Sequence, residues 1–142
     1  MCLRPFLDGA SDVRTASYDH RADAEVNDAM AVPSRAVLIV DVVFLLRPEL
    51  RDLWTLSVYR RVSSGETLRR AHERDLELFG SAEDVERRYV GRYLPGQALY
   101  RREADPEARA DLLVDNERFE APRIERWTVS TQRTGTDWRH KP

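Results

Sequence analysis

The chain has 142 residues, of which 42% are hydrophobic and 34% charged, and its formal net charge is −2. This length suits one domain with a core of its own, and the charge balance argues against a general nucleic-acid binder. A single cysteine, no membrane-length apolar run and no signal-peptide pattern together predict a cytoplasmic protein that neither spans nor binds a membrane.

The first 35 residues are irregular, with strand character at residues 13–18. Tyr18 and Asp19 open a short cluster of aromatic and hydrogen-bonding side chains. Such a cluster suits a polar small-molecule site and equally suits a solvated loop, and the residues alone leave both alternatives open.

Residues 36–41 read Ala-Val-Leu-Ile-Val-Asp, a continuous apolar run that ends in a carboxylate. This pattern is typical of a strand buried on both faces of a parallel sheet covered by helices. Ligands of open α/β sheets bind at the carboxyl ends of the strands, so Asp41 is a candidate functional acid. An ordinary strand followed by a turn Asp is the alternative.

Further elements follow in the order strand, helix pair, strand. A second strand is predicted at residues 53–62, and Ser63 and Glu66 have the spacing of a capping box that begins a helix. A second helix start follows at residues 81–84. Val85, Tyr89 and Tyr93 are spaced four apart, so they would share one face of this helix, and Pro95 with Gly96 would kink or end it. A third strand is predicted at residues 111–116. The three strands are expected to be parallel neighbours in one sheet, which makes the fold class α/β.

The chain contains no Gly-x4-Gly-Lys-Ser/Thr phosphate loop and no Gly-x-Gly-x-x-Gly. Arg70 and Arg74 lie one helical turn apart and have the chemistry to neutralise a transferring phosphoryl group. A solvated helix face that Glu73 and Glu77 partly compensate is the simpler alternative.

From about residue 13 to residue 127 the chain resembles the later two-thirds of the bacterial branch of the uridine kinase-like P-loop kinases. The resemblance is carried by Asp-Val-Val-Phe-Leu-Leu-Arg-Pro-Glu-Leu at 41–50, by Glu-Thr-Leu-Arg-Arg at 66–70 and by Leu-Phe-Gly-Ser at 78–81. It continues through Arg-Tyr-Leu-Pro-Gly-Gln-Ala-Leu-Tyr at 92–100 and ends with Val-Asp-Asn at 114–116.

The resemblance implies a partial P-loop NTPase-like three-layer fold and an ATP- and Mg²⁺-dependent transfer of phosphate to a nucleoside such as uridine or cytidine. It also implies roles for individual residues. Asp41 would support Mg²⁺ indirectly, Arg70 and Arg74 would begin a lid that closes over ATP, Tyr18 and Asp19 would wall the nucleoside site, and Asp115 and Asn116 would lie beside the adenine.

Two departures from the family follow. Val42 replaces the family's glycine after the strand-end acid, and the Walker A half would lie before residue 1 and is expected to be missing. Residues 1–127 are expected to form an incomplete kinase-like domain, with a nucleoside-site segment at 1–35, the sheet and lid at 36–127, and a disordered tail at 128–142. A non-catalytic remnant or interaction module is the alternative function, and a homo-oligomer is left open.

Overall fold

A computed structural model describes residues 3–19, 23–33 and 35–128, apart from the side chains of residues 16–19. The chain divides into two compact units, one up to Val42 and one from Val43 on. The predicted disordered tail lies outside the described residues, except for Thr128. No helix within the described ranges is long and apolar enough to cross a membrane.

The first unit is a helix followed by a hairpin. Helix α1 (Leu3–Leu7) precedes strands β1 (Asp12–Asp19) and β2 (Ala24–Ala31), which pair antiparallel. The strand character predicted at residues 13–18 is therefore confirmed. The ladder shifts register twice along β1, and among the described side chains of the hairpin only Val13 is buried. A hairpin with so little buried apolar surface has weak independent stability.

The strand predicted at residues 36–40 is wrong. These residues are irregular and form no sheet ladder, and Val37 and Ile39 are 88% and 86% exposed. A strand needs a neighbouring strand for its backbone N–H and C=O groups, and no strand of the described ranges pairs with this run. The apolar composition of this run favours burial in a sheet, but no strand of the described ranges offers it a hydrogen-bonded partner.

The second unit is built on a three-stranded sheet in the order β3 (Val58–Arg61), β4 (Leu112–Asp115), β5 (Arg123–Trp127). Strands β3 and β4 are parallel, which confirms the α/β class and the pairing predicted for the second and third strands. Strand β5 was not predicted and runs antiparallel to β4, so the sheet is mixed rather than purely parallel.

Helices fill the connection between the two parallel strands, as such a crossover requires. They are α2 (Ser64–Arg74), α3 (Leu76–Phe79), α4 (Ala82–Arg88), α5 (Leu94–Ala104) and α6 (Pro106–Arg109). Both predicted helix starts are confirmed. The Ser63 Oγ accepts a hydrogen bond from the Glu66 N–H, and the Ser81 Oγ accepts one from the Asp84 N–H.

The chain stays helical through Pro95, where the sequence predicted a kink or an end. A π-helical turn at Tyr89–Tyr93 joins α4 to α5, and Pro95 falls in the first turn of α5. Proline is tolerated there because the first turn of a helix needs no intrahelical N–H donor. The predicted common face of Val85, Tyr89 and Tyr93 is confirmed, since all three belong to one apolar cluster with Ala71.

The two faces of the sheet differ in their covering. Cross-strand partners share a face, so Val58, Leu112 and Trp127 lie on one side together with Val114 and Ile124. On this side Val58, Ile124 and Trp127 are 55%, 59% and 63% exposed. The opposite side carries the buried Leu113. Helices α5 and α6 lie on this side, where Arg101 of α5 is close to Tyr59 and Arg126 donates to the backbone carbonyl of Glu107 on α6.

The parallel register is fixed where β3 and β4 begin. The Asp111 carboxylate accepts hydrogen bonds from the Ser57 N–H (2.8 Å) and Oγ–H (2.7 Å), and the Asp111 N–H donates back to Ser57 Oγ at 3.1 Å. Both residues are buried. The Leu112 N–H then donates to the Ser57 carbonyl oxygen, which forms the first backbone hydrogen bond between the two strands.

Replacement of Asp111 by alanine leaves two buried donors of Ser57 without an acceptor. We expect Asp111→Ala to lower the free energy of unfolding by about 2–3 kcal/mol. Urea denaturation at neutral pH measures this loss. Asp52→Ala, which removes an exposed carboxylate, is the matched control and should change stability by less than about 0.5 kcal/mol. Equal effects of the two substitutions would contradict the role assigned to Asp111.

Candidate functional site

The candidate site is a cleft at the carboxyl ends of the parallel strands β3 and β4, beside the first residues of α2. Its volume is about 410 Å³, at the lower end of the range of small-molecule sites. This is the edge of an α/β sheet at which ligands bind. The lining residues are Tyr59, Arg61, Val62, Ser63, Ser64, Arg101, Glu107, Asp115 and Glu117.

Arg61, the last residue of β3, is held by carboxylates from three other elements. Its guanidinium lies 2.6 Å from Glu125 Oε1 on β5, 3.7 Å from Glu107 Oε2 on α6 and 3.8 Å from Asp115 Oδ2 on β4. The charge of Glu125 raises the pKa of Arg61 above its usual value, against the opposing effect of burial. Arg61 therefore ties three elements together, and its positive charge is already neutralised.

Glu117 connects the loop after β4 to the start of α2. Its carboxylate accepts hydrogen bonds from the Ser63 N–H at 2.8 Å and from the Ser63 Oγ–H at 2.6 Å. In a capping box the side chain of Glu66 would accept from this N–H. Glu117 takes that place, and Glu66 binds two arginines instead.

Arg70 makes a second connection between α2 and the same loop. Its Nη2 donates to the carbonyl oxygens of Asn116 (2.7 Å) and Glu117 (3.2 Å), and its guanidinium lies 5.6 Å from the centroid of the Phe119 ring. Its Nε donates to Glu66 Oε1 at 2.6 Å. The structure thus brings together two segments that the sequence assigned to one site, the arginine-bearing helix and the Asp115–Asn116 strand end.

Arg74 lies one turn further along α2 and has different partners. Its Nε and Nη2 donate to the two carboxylate oxygens of Asp75, and Nη2 also donates to the hydroxyl oxygen of Tyr89 at 2.9 Å. The Tyr89 hydroxyl donates to Asp75 Oδ2 at 2.6 Å. The hydrogen bonds from Arg74 hold the pKa of Asp75 below its usual value, while burial raises the pKa of Tyr89.

The two ends of the cleft differ in the state of their ionisable groups. At the β4 end, the hydrogen bond from the Glu117 N–H lowers the pKa of Asp115, and Arg61 and Arg123 act in the same direction. On the opposite wall, burial raises the pKa of Tyr59, although the positive charge of Arg101 acts in the other direction. Asp115 is thus an ionised acceptor, and the Tyr59 hydroxyl stays protonated at neutral pH.

The remaining predicted site residues belong to the first unit. Asp41 is exposed in the irregular segment that follows residue 35, not at the end of a strand. Tyr18 and Asp19 are the last residues of β1, and their side chains lie outside the described part of the structure. The site roles predicted for these three residues stay predictions.

Asp115 is the only lining residue of the cleft that the sequence singled out as a site residue. The eight others, among them Arg61, Arg101 and Glu117, were missed. Ser63 was noted only as a helix cap. Glu117 directly follows the predicted strand end at Asn116, which was the one available signal. Arg101 and Glu107 look like solvated helix positions, because only the fold of the crossover places them against β3.

The residues present do not by themselves form an ATP–Mg²⁺ site. The described ranges contain no group of three or more His, Cys, Asp or Glu side chains that could hold a metal ion. Arg74 is already bound to Asp75, and the sequence supplies no glycine-rich loop to surround phosphates with backbone N–H groups.

Comparison of the chain with models of known protein families, with curated proteins and with solved structures found no match. The resemblance to uridine kinase-like proteins therefore rests on the motifs quoted from the sequence.

The ion pairs of Glu66 with Arg69 and Arg70 on α2 can be tested through their dependence on pH. Hydrogen bonds from Arg69 and Arg70 lower the pKa of Glu66 to about 2, against a usual value of 4.5. A lowered pKa in the folded state stabilises the fold above the unfolded-state pKa, and this contribution is lost as the pH falls from about 4.5 towards 2. We therefore expect Glu66→Gln to lower the melting temperature at pH 7, with the difference from wild type narrowing to a small fraction of that value by pH 2.5.

Melting curves recorded by circular dichroism between pH 7 and pH 2.5 measure this convergence. Glu77→Gln removes an exposed carboxylate on α3 and serves as the control, with a small difference from wild type at neutral pH. A constant gap between wild type and Glu66→Gln at every pH would show that the contribution of Glu66 is not its ionised contact with the arginines.

Proposed function

We propose that this chain is the lid and strand-end portion of a uridine kinase-like ATP-dependent phosphotransferase, which converts a nucleoside to its monophosphate. The observation that carries the proposal is the pair of hydrogen bonds from Arg70 to the Asn116 and Glu117 carbonyls. These bonds join the helix assigned to the lid to the loop assigned to the adenine, at the carboxyl edge of a parallel strand pair.

Three further features support the proposal. Two parallel strands, β3 and β4, are connected by helices, and in sheets of this arrangement ligands bind at the carboxyl ends of the strands. Gly80, at a positive φ of 88°, separates α3 from α4 and provides a break at which a lid moves. Arg74 begins this lid region with a guanidinium that is largely exposed despite its contact with Asp75.

Phosphoryl transfer depends almost entirely on positioning and on electrostatic stabilisation of the phosphates. The 142 residues contain no loop that supplies this stabilisation, so transfer requires a phosphate-binding loop from outside them. What this chain contributes is the lid arginines and the strand-end loop of the second unit, and the metal-supporting role of Asp41 stays a prediction of the resemblance.

A second candidate is a non-catalytic interaction module of the same fold. The observation that favours it is the uncovered apolar side of the sheet, where Val58, Ile124 and Trp127 are each more than half exposed. Parallel strands are ordinarily covered on both faces. A module that binds another protein through this side would need none of the lid residues.

The two candidates are separated by an activity assay on two forms of the protein. We expect the 142-residue chain to show no measurable ATP-dependent phosphorylation of uridine or cytidine. Fusion to a Walker A segment of the uridine kinase-like family is expected to restore activity. In the fusion, Arg74→Ala should then lower kcat by about 10-fold or more, because a transition-state charge contact is lost.

Arg102→Ala is the matched control, since Arg102 lies on the exposed side of α5 and pairs only loosely with Glu103, at 3.8 Å. It should leave kcat unchanged. A fusion that folds and binds ATP but phosphorylates neither nucleoside would reject the enzyme and favour the interaction module. Turnover by the 142-residue chain alone would show that the phosphate loop is not needed.

A further inference from the structure

Residues 35–41 form an exposed apolar run with one charge at each end. The sequence is Arg-Ala-Val-Leu-Ile-Val-Asp, so its two charges cancel. Val37 and Ile39 are 88% and 86% exposed, while Leu38 between them is 44% exposed. Exposure thus alternates from one side chain to the next, as it does along an extended chain. A short run with this composition, no net charge and no proline has a strong tendency to pair with another strand.

The backbone of this run has one edge on which a partner strand can add. No strand of the described ranges pairs with it. The Ala36 N–H is already used, because it donates to the Pro33 carbonyl oxygen at 3.2 Å. In an extended chain the backbone groups of successive residues point to opposite edges. The edge formed by residues 35, 37, 39 and 41 therefore lies opposite this bond and is the one that can accept a partner.

The charges at the two ends select a second copy of the same run as that partner. Arg35 and Asp41 are both exposed, and neither forms an ion pair within the described ranges. When two copies pair antiparallel about a two-fold axis at Leu38, Arg35 of each copy lies opposite the partner's Asp41, which is favourable at both ends. Parallel pairing in register would place like charges opposite each other at both ends, which is unfavourable.

We infer that residues 35–41 are a homodimer interface, in which two copies of the run form a two-stranded antiparallel ribbon about a two-fold axis at Leu38. Residues 35, 37, 39 and 41 make the backbone hydrogen bonds between the copies, and the Ala36 N–H keeps its bond to Pro33. A ribbon of this length buries little area, so the interface is weak, with a dissociation constant on the order of 100 µM. The inference does not use the proposed function.

Sedimentation equilibrium of the 142-residue chain, at concentrations from about 10 µM to about 1 mM, measures this dissociation constant. We expect an equilibrium between monomer and dimer. Asp41→Arg should raise the dissociation constant about tenfold or more, because the two-fold symmetry turns both end pairs into pairs of like charge. The double variant Arg35→Asp with Asp41→Arg restores opposite charges at both ends and should return the constant to within about threefold of wild type.

Asp52→Arg is the matched control, because it makes the same change of charge at an exposed carboxylate outside the run. It should leave the dissociation constant unchanged. The double variant keeps the net charge of wild type, so its recovery cannot come from a change in overall repulsion between the copies. Far-UV circular dichroism of each variant reports whether it folds, and the sedimentation of wild type tests the inference without any variant.

A wild-type chain that stays monomeric over the whole concentration range would overturn the inference. A dimer that Asp41→Arg does not weaken would also overturn it, because the interface would then lie elsewhere, for example on the exposed side of the β3–β4–β5 sheet. A dimer that Asp41→Arg weakens but the double variant does not restore would reject the antiparallel ribbon. Assembly into fibres instead of dimers would reject the two-fold axis.

Discussion

The second unit depends on the alignment of β3 with β4, and one buried contact sets that alignment. A parallel pair cannot be closed by a short turn, so its register has to be fixed by something other than the connection. Here the connection is a crossover of five helices, and the Ser57–Asp111 hydrogen bonds lock the two strand starts directly. A slip of one residue would turn every side chain of the slipped strand to the opposite face of the sheet, and Arg61 on β3 would no longer face Asp115 on β4.

At the other end of the same two strands, ion pairs and hydrogen bonds of charged side chains connect the neighbouring elements. Arg61 joins β3 to α6, β4 and β5, while Arg70 and Glu117 both join α2 to the loop after β4. The helix start, the strand ends and the loop are thereby held as one group. As a consequence, Arg61 and Glu117, which line the cleft, are both bound to neighbouring elements of the same unit.

Local signals in the sequence predicted the second unit better than the first. The caps at Ser63 and Ser81 and the spacing of Val85, Tyr89 and Tyr93 depend on neighbours within one or two turns, and all were predicted correctly. Strand β5 was missed because charged residues interrupt its alternation, as is common for an edge strand. The walls of the cleft were mostly missed, because Arg101 and Glu107 reach β3 only through the crossover.

The error at residues 36–40 has a different origin. An apolar, β-branched run favours burial in a sheet, but it becomes a strand only where another segment provides a backbone to pair with and a surface to pack on. The sheet of the second unit shows the converse case, in which Val58, Ile124 and Trp127 form strands and are each more than half exposed. The exposed apolar surface therefore bears on both proposed functions, since a phosphate-binding half and a separate protein partner would each need an apolar face on which to pack.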